Sequence, residues 1–224
     1  MKVQELRKEL KNQFNGTNFS GINTDFSDEQ LVTSGVSFFP YGSGLLVPGD
    51  KIPKDCVLFL GSDWGTDKDN AEAVKANKPG STKRKKNITV NNLKDLLIGK
   101  DNWGKAFLSN ALMGLREENK SNIKPHKAFS DIDYQERCKD FLKYQIEEIN
   151  PVRIITLGAR ADKFIRKNCP EKFKNKIHSI PHPCLLHGNI GKRIKKEKNG
   201  VKASQEEVLQ EIEKIRGKIW AGLR

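Results

Sequence analysis

CVLFLGSDWGT, residues 56–66, is the stretch that decides the fold of this chain. Five apolar residues run without interruption into a glycine, which is typical of a strand buried on both faces of a parallel sheet. The chain then turns and presents Ser62 and Asp63, and ligands of open parallel sheets bind beyond the carboxyl ends of the strands. Asp63 is therefore a candidate functional residue. The alternative is that Asp63 only caps the following helix.

The composition predicts one globular domain with an anionic partner. We expect residues 1–224 to form a single unit whose core spans about 36–190, with helical extensions at both ends. The formal net charge of +13 favours a nucleic acid or a membrane surface. No apolar run approaches the length of a membrane span and the N-terminus is too polar for a secretion signal, so we expect a soluble intracellular (cytoplasmic) protein. The sequence indicates no symmetric apolar face, and a monomer is expected.

The cysteines predict neither a metal site nor a disulfide framework. None of them belongs to a C-x-x-C pair, and they are scattered along the chain as Cys56, Cys138, Cys169 and Cys184. We expect reduced thiols, some of them buried as small apolar residues, with no metal, no iron–sulfur cluster and no other cofactor.

Strand and helix patterns alternate along the rest of the chain. Apolar runs predict strands at 56–60, 106–113, 152–157 and 177–180. Helical spacing predicts helices over 3–14, between Asn91 and Gly99, over 133–149, over 159–167 and after the capping-box residue Ser204. This alternation predicts an α/β fold, a three-layer α/β/α sandwich around a mostly parallel four-stranded sheet. The Gly- and Pro-rich segment 38–53 predicts a loop, whose aromatic residues belong to the core or line a pocket.

Three polar side chains are expected to meet at one edge of this sheet. Asp63 follows the first strand, Asn110 interrupts the apolar run of the second, and His182 lies just past the last. Parallel strands end at the same edge, so a carboxylate, an amide and an imidazole are predicted to form a small polar site there. Each residue alone also has a structural explanation as a turn or capping residue.

Four segments, in chain order, resemble the uracil-DNA glycosylase superfamily. Residues 61–66 resemble its first motif, written G-Q-D-P-Y-H in one branch and G-E-A-P-G in the iron–sulfur branch, and Asp63 matches the water-activating aspartate of the former. Residues 107–112 resemble the strand that ends in the uracil-reading asparagine, here Asn110. Residues 137–158 resemble the helix and strand written C-R-P-F-L and P-x-V-I-V-T-L-G in the iron–sulfur branch. Residues 181–184 resemble the H-P-S motif, and the resemblance covers about residues 55–190.

The resemblance implies a DNA glycosylase that hydrolyses the N-glycosidic bond of uracil, or of a related deaminated base, in single- or double-stranded DNA. It assigns catalysis to Asp63 and His182. It assigns substrate binding to Gly61, Ser62, Trp64 and Asn110. Ser62 and Trp64 depart from the family motifs, as does Cys184 in place of serine, which leaves open a catalytically inactive nucleic-acid-binding module on the same fold. A third hypothesis is a small-nucleotide enzyme, which would not need the +13 charge.

The segment after His182 is interpreted as a DNA contact. In the resembled family an apolar wedge follows the H-P-S motif, so Leu185 or Leu186 is the candidate that holds the base stack open. The basic run that follows, with Lys192 and Arg193, is expected to bind phosphates. Gly188 and Gly191 are expected to loosen the turn that follows His182. The alternative is that the two leucines pack into the core.

Overall fold

A four-stranded parallel sheet lies at the centre of the computed structural model, which describes residues 1–32, 37–63, 65–76, 88–117 and 131–223. The strands in chain order are β1 (Ile22–Asn23), β2 (Val57–Gly61), β3 (Ala106–Asn110), β4 (Leu115–Arg116), β5 (Arg153–Leu157) and β6 (Ile177–Ile180). The central sheet has the order β3-β2-β5-β6, and each neighbouring pair is parallel. The short strands β1 and β4 form a separate antiparallel pair.

Helices cover both faces of the central sheet. They are α1 (Val3–Phe14), α2 (Asp67–Ala76), α3 (Ile88–Asn92, continued by a π-helical turn over Leu93–Ile98), α4 (Ile132–Ile149), α5 (Ala159–Asn168), α6 (Leu186–Glu197) and α7 (Gln205–Trp220). Buried side chains of α1, α4 and α5 pack on one face, and those of α3, α6 and α7 pack on the other. The predicted three-layer α/β/α sandwich is confirmed.

The alternation of side chains along each strand explains why both faces are covered. Leu58 and Leu60 of β2 belong to the first core cluster, whereas Val57 and Phe59 belong to the second. Successive residues of a strand point to opposite faces, so a strand that is apolar throughout needs a hydrophobic layer on each side. This is the physical reason that the run 56–60 predicts a central parallel strand.

Several predicted elements have the expected limits. The helix at 3–14, the strand at 177–180 and the helix that begins after Ser204 are confirmed, and Ser204 forms the expected capping box with Glu207. The strand predicted at 106–113 ends at Asn110, although Ala111 and Leu112 still donate their N–H groups to the carbonyl oxygens of Gly61 and Ser62. None of the described helices combines the length and apolar character that crossing a bilayer requires.

Other parts of the fold differ from the sequence prediction. The predicted loose turn around residues 188 and 191 is wrong, because both glycines lie inside helix α6. Each of the terminal helices α1 and α7 contributes four buried apolar side chains to the clusters that cover the sheet. Of the two alternatives for the aromatic residues of the 38–53 loop, the core is confirmed, because Phe38, Phe39 and Tyr41 are buried.

The direction of the chain across the sheet reverses between β2 and β5. From β2 the chain moves outward to β3 and then returns to β5 on the other side of β2. The segments that leave β2 and β5 therefore diverge in opposite directions. Open α/β sheets bind ligands at such a reversal point, just beyond the strand ends.

Candidate active site

The ends of the four parallel strands present four polar side chains at one edge of the sheet. Across the order β3-β2-β5-β6 they are Asn110, Asp63, Arg160 and His182. Asp63 and Arg160 flank the reversal point between β2 and β5. The expectation that Asp63, Asn110 and His182 share one edge is therefore confirmed, and Arg160 is an addition.

Asp63 is a largely buried carboxylate that lies between two arginines. Its side chain is 10% exposed, with Arg116 Nε 3.6 Å from Oδ1 and Arg160 Nη1 3.8 Å from Oδ2. The hydroxyl of Ser62 donates a hydrogen bond of 2.9 Å to Oδ2. Ser62, which the resemblance assigns to substrate binding, thus orients the carboxylate.

The next helix, α2, takes its cap from another residue. The Thr66 hydroxyl accepts the N–H of Asp69 at 3.1 Å and donates to the Asp69 carboxylate at 2.9 Å, which satisfies the N-terminus of α2. The alternative that Asp63 serves as the helix cap is therefore wrong. Because Asp63 does not cap a helix, its carboxylate is available to interact with a ligand at the sheet edge.

Asn110 lies against Gly61 in the adjacent strand. Its side-chain amide is 2% exposed, and Nδ2 donates to the carbonyl oxygen of Phe39 at 3.2 Å. The Phe39 segment is in turn fixed by Arg7 of α1, which donates to the carbonyl oxygens of Pro40 and Gly42 at 3.2 and 3.1 Å. A Cβ on Gly61 would lie 2.6 Å from Asn110 Oδ1, so only glycine leaves room for the amide in this position.

His182 is oriented by the residue two positions after it. Its Nδ1 accepts the N–H of Cys184 at 3.4 Å and contacts the Cys184 sulfur at 2.9 Å. A ring nitrogen that accepts a hydrogen bond is unprotonated in neutral imidazole, so the proton resides on Nε2. Burial lowers the pKa of His182 below its usual range, and the Asp63 carboxylate partly opposes that shift. His182 therefore presents a neutral N–H donor.

The three other cysteines differ from Cys184 in burial. All four are free, but only Cys184 is exposed. Burial raises the pKa of both the Cys56 and the Cys138 thiols to about 12, which keeps them protonated and unreactive.

The segment predicted to contact DNA is partly structural. Leu186 is 1% exposed and packs with Ile190 in the core, because α6 begins at Leu186 and this side of the helix faces the sheet. The wedge hypothesis is therefore wrong for Leu186. The backbone of Leu185 ends the 3₁₀ turn Pro183–Leu185, but its side chain lies outside the described part of the chain, as does Trp64.

The basic face of α6 is only partly available to phosphates. Lys192 is exposed on α6. Arg193 forms ion pairs with Glu211 of α7, at 2.5 Å, and with Glu197, at 3.8 Å. Arg193 thus contributes to the packing of α6 against α7, and phosphate binding by Lys192 stays a prediction.

Sequence reasoning missed the two arginines beside Asp63. Arg160 had a usable signal, because it follows Gly158 at the end of a buried strand just as Asp63 follows Gly61. Arg116 had none, since it belongs to a two-residue strand whose partner, β1, is more than 90 residues away along the chain.

No group of side chains in the described ranges has the composition of a metal site. An open cleft of about 860 Å³ lies elsewhere, along residues 14–27 and Glu117, and its lining includes none of Asp63, Asn110 or His182. We place the candidate site at the sheet edge, because the polar side chains and the reversal of strand order coincide there.

Comparison with known proteins does not identify the family of this chain. Neither a scan against protein-family models nor a search of curated proteins finds a match for this chain. The resemblance to uracil-DNA glycosylases rests on the four sequence motifs.

Proposed function

We propose that this protein is a DNA glycosylase that hydrolyses the N-glycosidic bond of uracil or of a related deaminated base in DNA. The observation that carries the proposal is the placement of Asp63. It is a largely buried carboxylate at the reversal point of the sheet, it is not the cap of α2, and it interacts electrostatically with His182.

In the proposed reaction Asp63 serves the sugar and the attacking water. Breaking the bond between C1′ and the base leaves positive charge on the sugar, which a nearby carboxylate stabilises. The same carboxylate positions a water and accepts its proton as the water oxygen bonds to C1′. The hydrogen bond from Ser62 keeps Oδ2 in a fixed orientation for this role.

His182 serves the departing base. The electron pair of the broken bond leaves with the base, and a hydrogen-bond donor near the base oxygen stabilises the resulting anion. The contacts of Nδ1 with Cys184 leave the proton on Nε2, and the lowered pKa keeps the ring neutral near pH 7. A neutral imidazole with its proton on Nε2 has one N–H group that can donate to the base oxygen.

Asn110 and the overall charge supply recognition in this proposal. An amide carries both a donor and an acceptor and can pair with one edge of a pyrimidine that has left the base stack. The net charge of +13 supplies affinity for phosphates. The hydrogen bond to Phe39 fixes which way the Asn110 amide points.

A second candidate function is a nucleic-acid-binding module without catalysis. The observation that favours it is the pair of guanidinium groups within 4 Å of Asp63. Their positive charge opposes the stabilisation of a cationic sugar by the same carboxylate.

Incubation with a uracil-containing oligonucleotide, followed by alkali, separates the two candidates. Excision leaves an abasic site that alkali converts into a strand break at the position of the uracil. We expect breaks with the uracil oligonucleotide and none with the matched thymine oligonucleotide. Salt-sensitive binding without any break, on single- and double-stranded substrates alike, would contradict the enzyme and favour the binding module.

A further inference from the structure

Arg116 and Arg160 reach Asp63 from different parts of the fold. Arg116 belongs to β4, and its backbone N–H donates to the carbonyl oxygen of Gly65 at 3.0 Å. Arg160 lies in the first turn of α5. Their side chains are 26% and 45% exposed, compared with 10% for Asp63. The two guanidinium groups therefore form the outer part of the site, and the carboxylate lies behind them.

The contacts of these arginines with Asp63 are long. Charge-assisted N–H···O bonds are normally about 2.7–2.9 Å. Elsewhere in this protein Arg166 holds Asp162 at 2.9 Å, and Arg7 holds two backbone carbonyls within 3.2 Å. Arg116, by contrast, is 3.6 Å from Asp63, and its Nε is buried without a hydrogen-bond partner. The Arg116–Asp63 contact is therefore looser than the contacts of Arg166 and Arg7.

The charge of the cluster is positive. Among the described carboxylates, Asp63 is the one paired with these two guanidinium groups, and the neighbouring His182 is held neutral by its lowered pKa. A cluster whose only purpose was to neutralise Asp63 would need one arginine. The surplus positive charge at the mouth of the site favours an anionic ligand.

We infer that Arg116 and Arg160 form a phosphate subsite, which binds the DNA backbone next to the nucleotide whose base is excised. This inference rests on the proposed function. When the sugar of that nucleotide faces Asp63, the phosphates attached to the same sugar face the two guanidinium groups. Guanidinium groups match the geometry of phosphate oxygens and bind them in pairs of hydrogen bonds.

The subsite also removes the conflict between the arginines and catalysis. A phosphate that binds the guanidinium groups neutralises part of the positive charge that opposes Asp63. With the phosphate bound, the carboxylate stabilises a cationic sugar more strongly than it would beside two guanidinium groups that lack this anion. Substrate binding thus prepares the carboxylate for its role.

The test measures how DNA affinity depends on salt. Arg116→Gln and Arg160→Gln are compared with wild type by fluorescence anisotropy, on a single-stranded oligonucleotide that contains 2′-fluoro-2′-deoxyuridine. The fluorine destabilises a cationic sugar and so blocks cleavage during the measurement. The slope of log K against log salt should become shallower by about 0.7 for each lost phosphate contact.

Arg166→Gln is the matched control. Arg166 lies on the same helix as Arg160, is 49% exposed and pairs with Asp162, so the variant removes one charge outside the subsite. Its slope should equal that of wild type. Melting temperatures of all variants establish that the compared proteins are folded, and Arg160→Gln carries the test if Arg116→Gln does not fold.

The outcomes separate this inference from the proposed function. Slopes of both subsite variants equal to that of Arg166→Gln would overturn the subsite, even if wild type excises uracil. Shallower slopes support it, even if wild type binds DNA without excision. Competition with deoxyuridine monophosphate distinguishes the source of the phosphate. Arginine-dependent binding of the free nucleotide, without binding of the oligonucleotide, would overturn the assignment to DNA.

Discussion

Gly61→Ala tests the contact on which the geometry of the site depends most closely. Gly61 pairs with Asn110 across β2 and β3, and an added Cβ would lie 2.6 Å from the Asn110 amide oxygen. The backbone of Gly61 is in the ordinary region for a strand, so alanine meets no conformational strain of its own. Any effect of the substitution therefore reports on the position of the Asn110 side chain.

The expected effect is a moderate loss of stability together with a loss of base discrimination. The amide oxygen would have to move from 2.6 Å to at least 3.4 Å, and Asn110 is 2% exposed and tied to Phe39. Forcing an extra methyl group into a packed interior costs about 1–3 kcal/mol. The displaced amide no longer presents its donor and acceptor in the same place, so excision of uracil should decrease relative to wild type.

Urea denaturation and the excision assay measure the two effects. Gly104→Ala is the control, because a Cβ there has no neighbour within 4 Å. In an Asn110→Ala background the amide oxygen that would contact the new Cβ is absent. Gly61→Ala should then cause little further loss of stability. If Gly61→Ala is as stable and as active as Gly104→Ala, or if its cost persists without the Asn110 side chain, the reasoning is refuted.

Three further predictions concern residues around His182. Cys184 should react with iodoacetamide before the other cysteines, since burial raises the pKa of the Cys56 thiol to about 12; peptide mapping that finds Cys56 labelled first would contradict this. His182 is held neutral in the folded chain, so below about pH 6.5 the unfolded chain binds more protons and stability falls as the pH drops. His182→Gln should weaken that pH dependence in urea titrations, and an unchanged profile would argue against it. Leu186→Ala should destabilise the fold by about 2–5 kcal/mol and lower excision equally on single- and double-stranded substrates, whereas a loss confined to duplex would restore the wedge hypothesis.

The sequence predicts those parts of the fold that local patterns encode. The run at 56–60 is apolar on both faces, and its covering by helices on both sides follows from that pattern alone. Likewise the sequence predicts that Asp63 and His182 lie at the carboxyl edge of the sheet, because each follows a strand within three residues. Where the preceding strand positions a side chain, the sequence pattern is sufficient to predict the location of that side chain.

Contacts between distant parts of the chain account for what sequence reasoning misses. Arg7 appears as one more cation on an amphipathic helix, yet it is 4% exposed and holds the loop that orients Asn110. The glycines of α6 suggest a turn, but packing against α7 keeps that segment helical. Arg116 reaches Asp63 because β4 pairs with β1 and the Arg116 N–H donates to the Gly65 carbonyl oxygen. None of these contacts leaves a periodic trace in the sequence.

The most direct test of the proposed function is the single-turnover rate of uracil excision by wild type and by Asp63→Asn. Asp101→Asn, which removes one exposed carboxylate on another segment, is the control. We expect wild type and the control to excise at the same rate and Asp63→Asn to be slower by about 10²–10⁴-fold, with its affinity for DNA retained. Excision by Asp63→Asn at the wild-type rate would contradict the role of this carboxylate, and absence of excision by wild type would contradict the function itself.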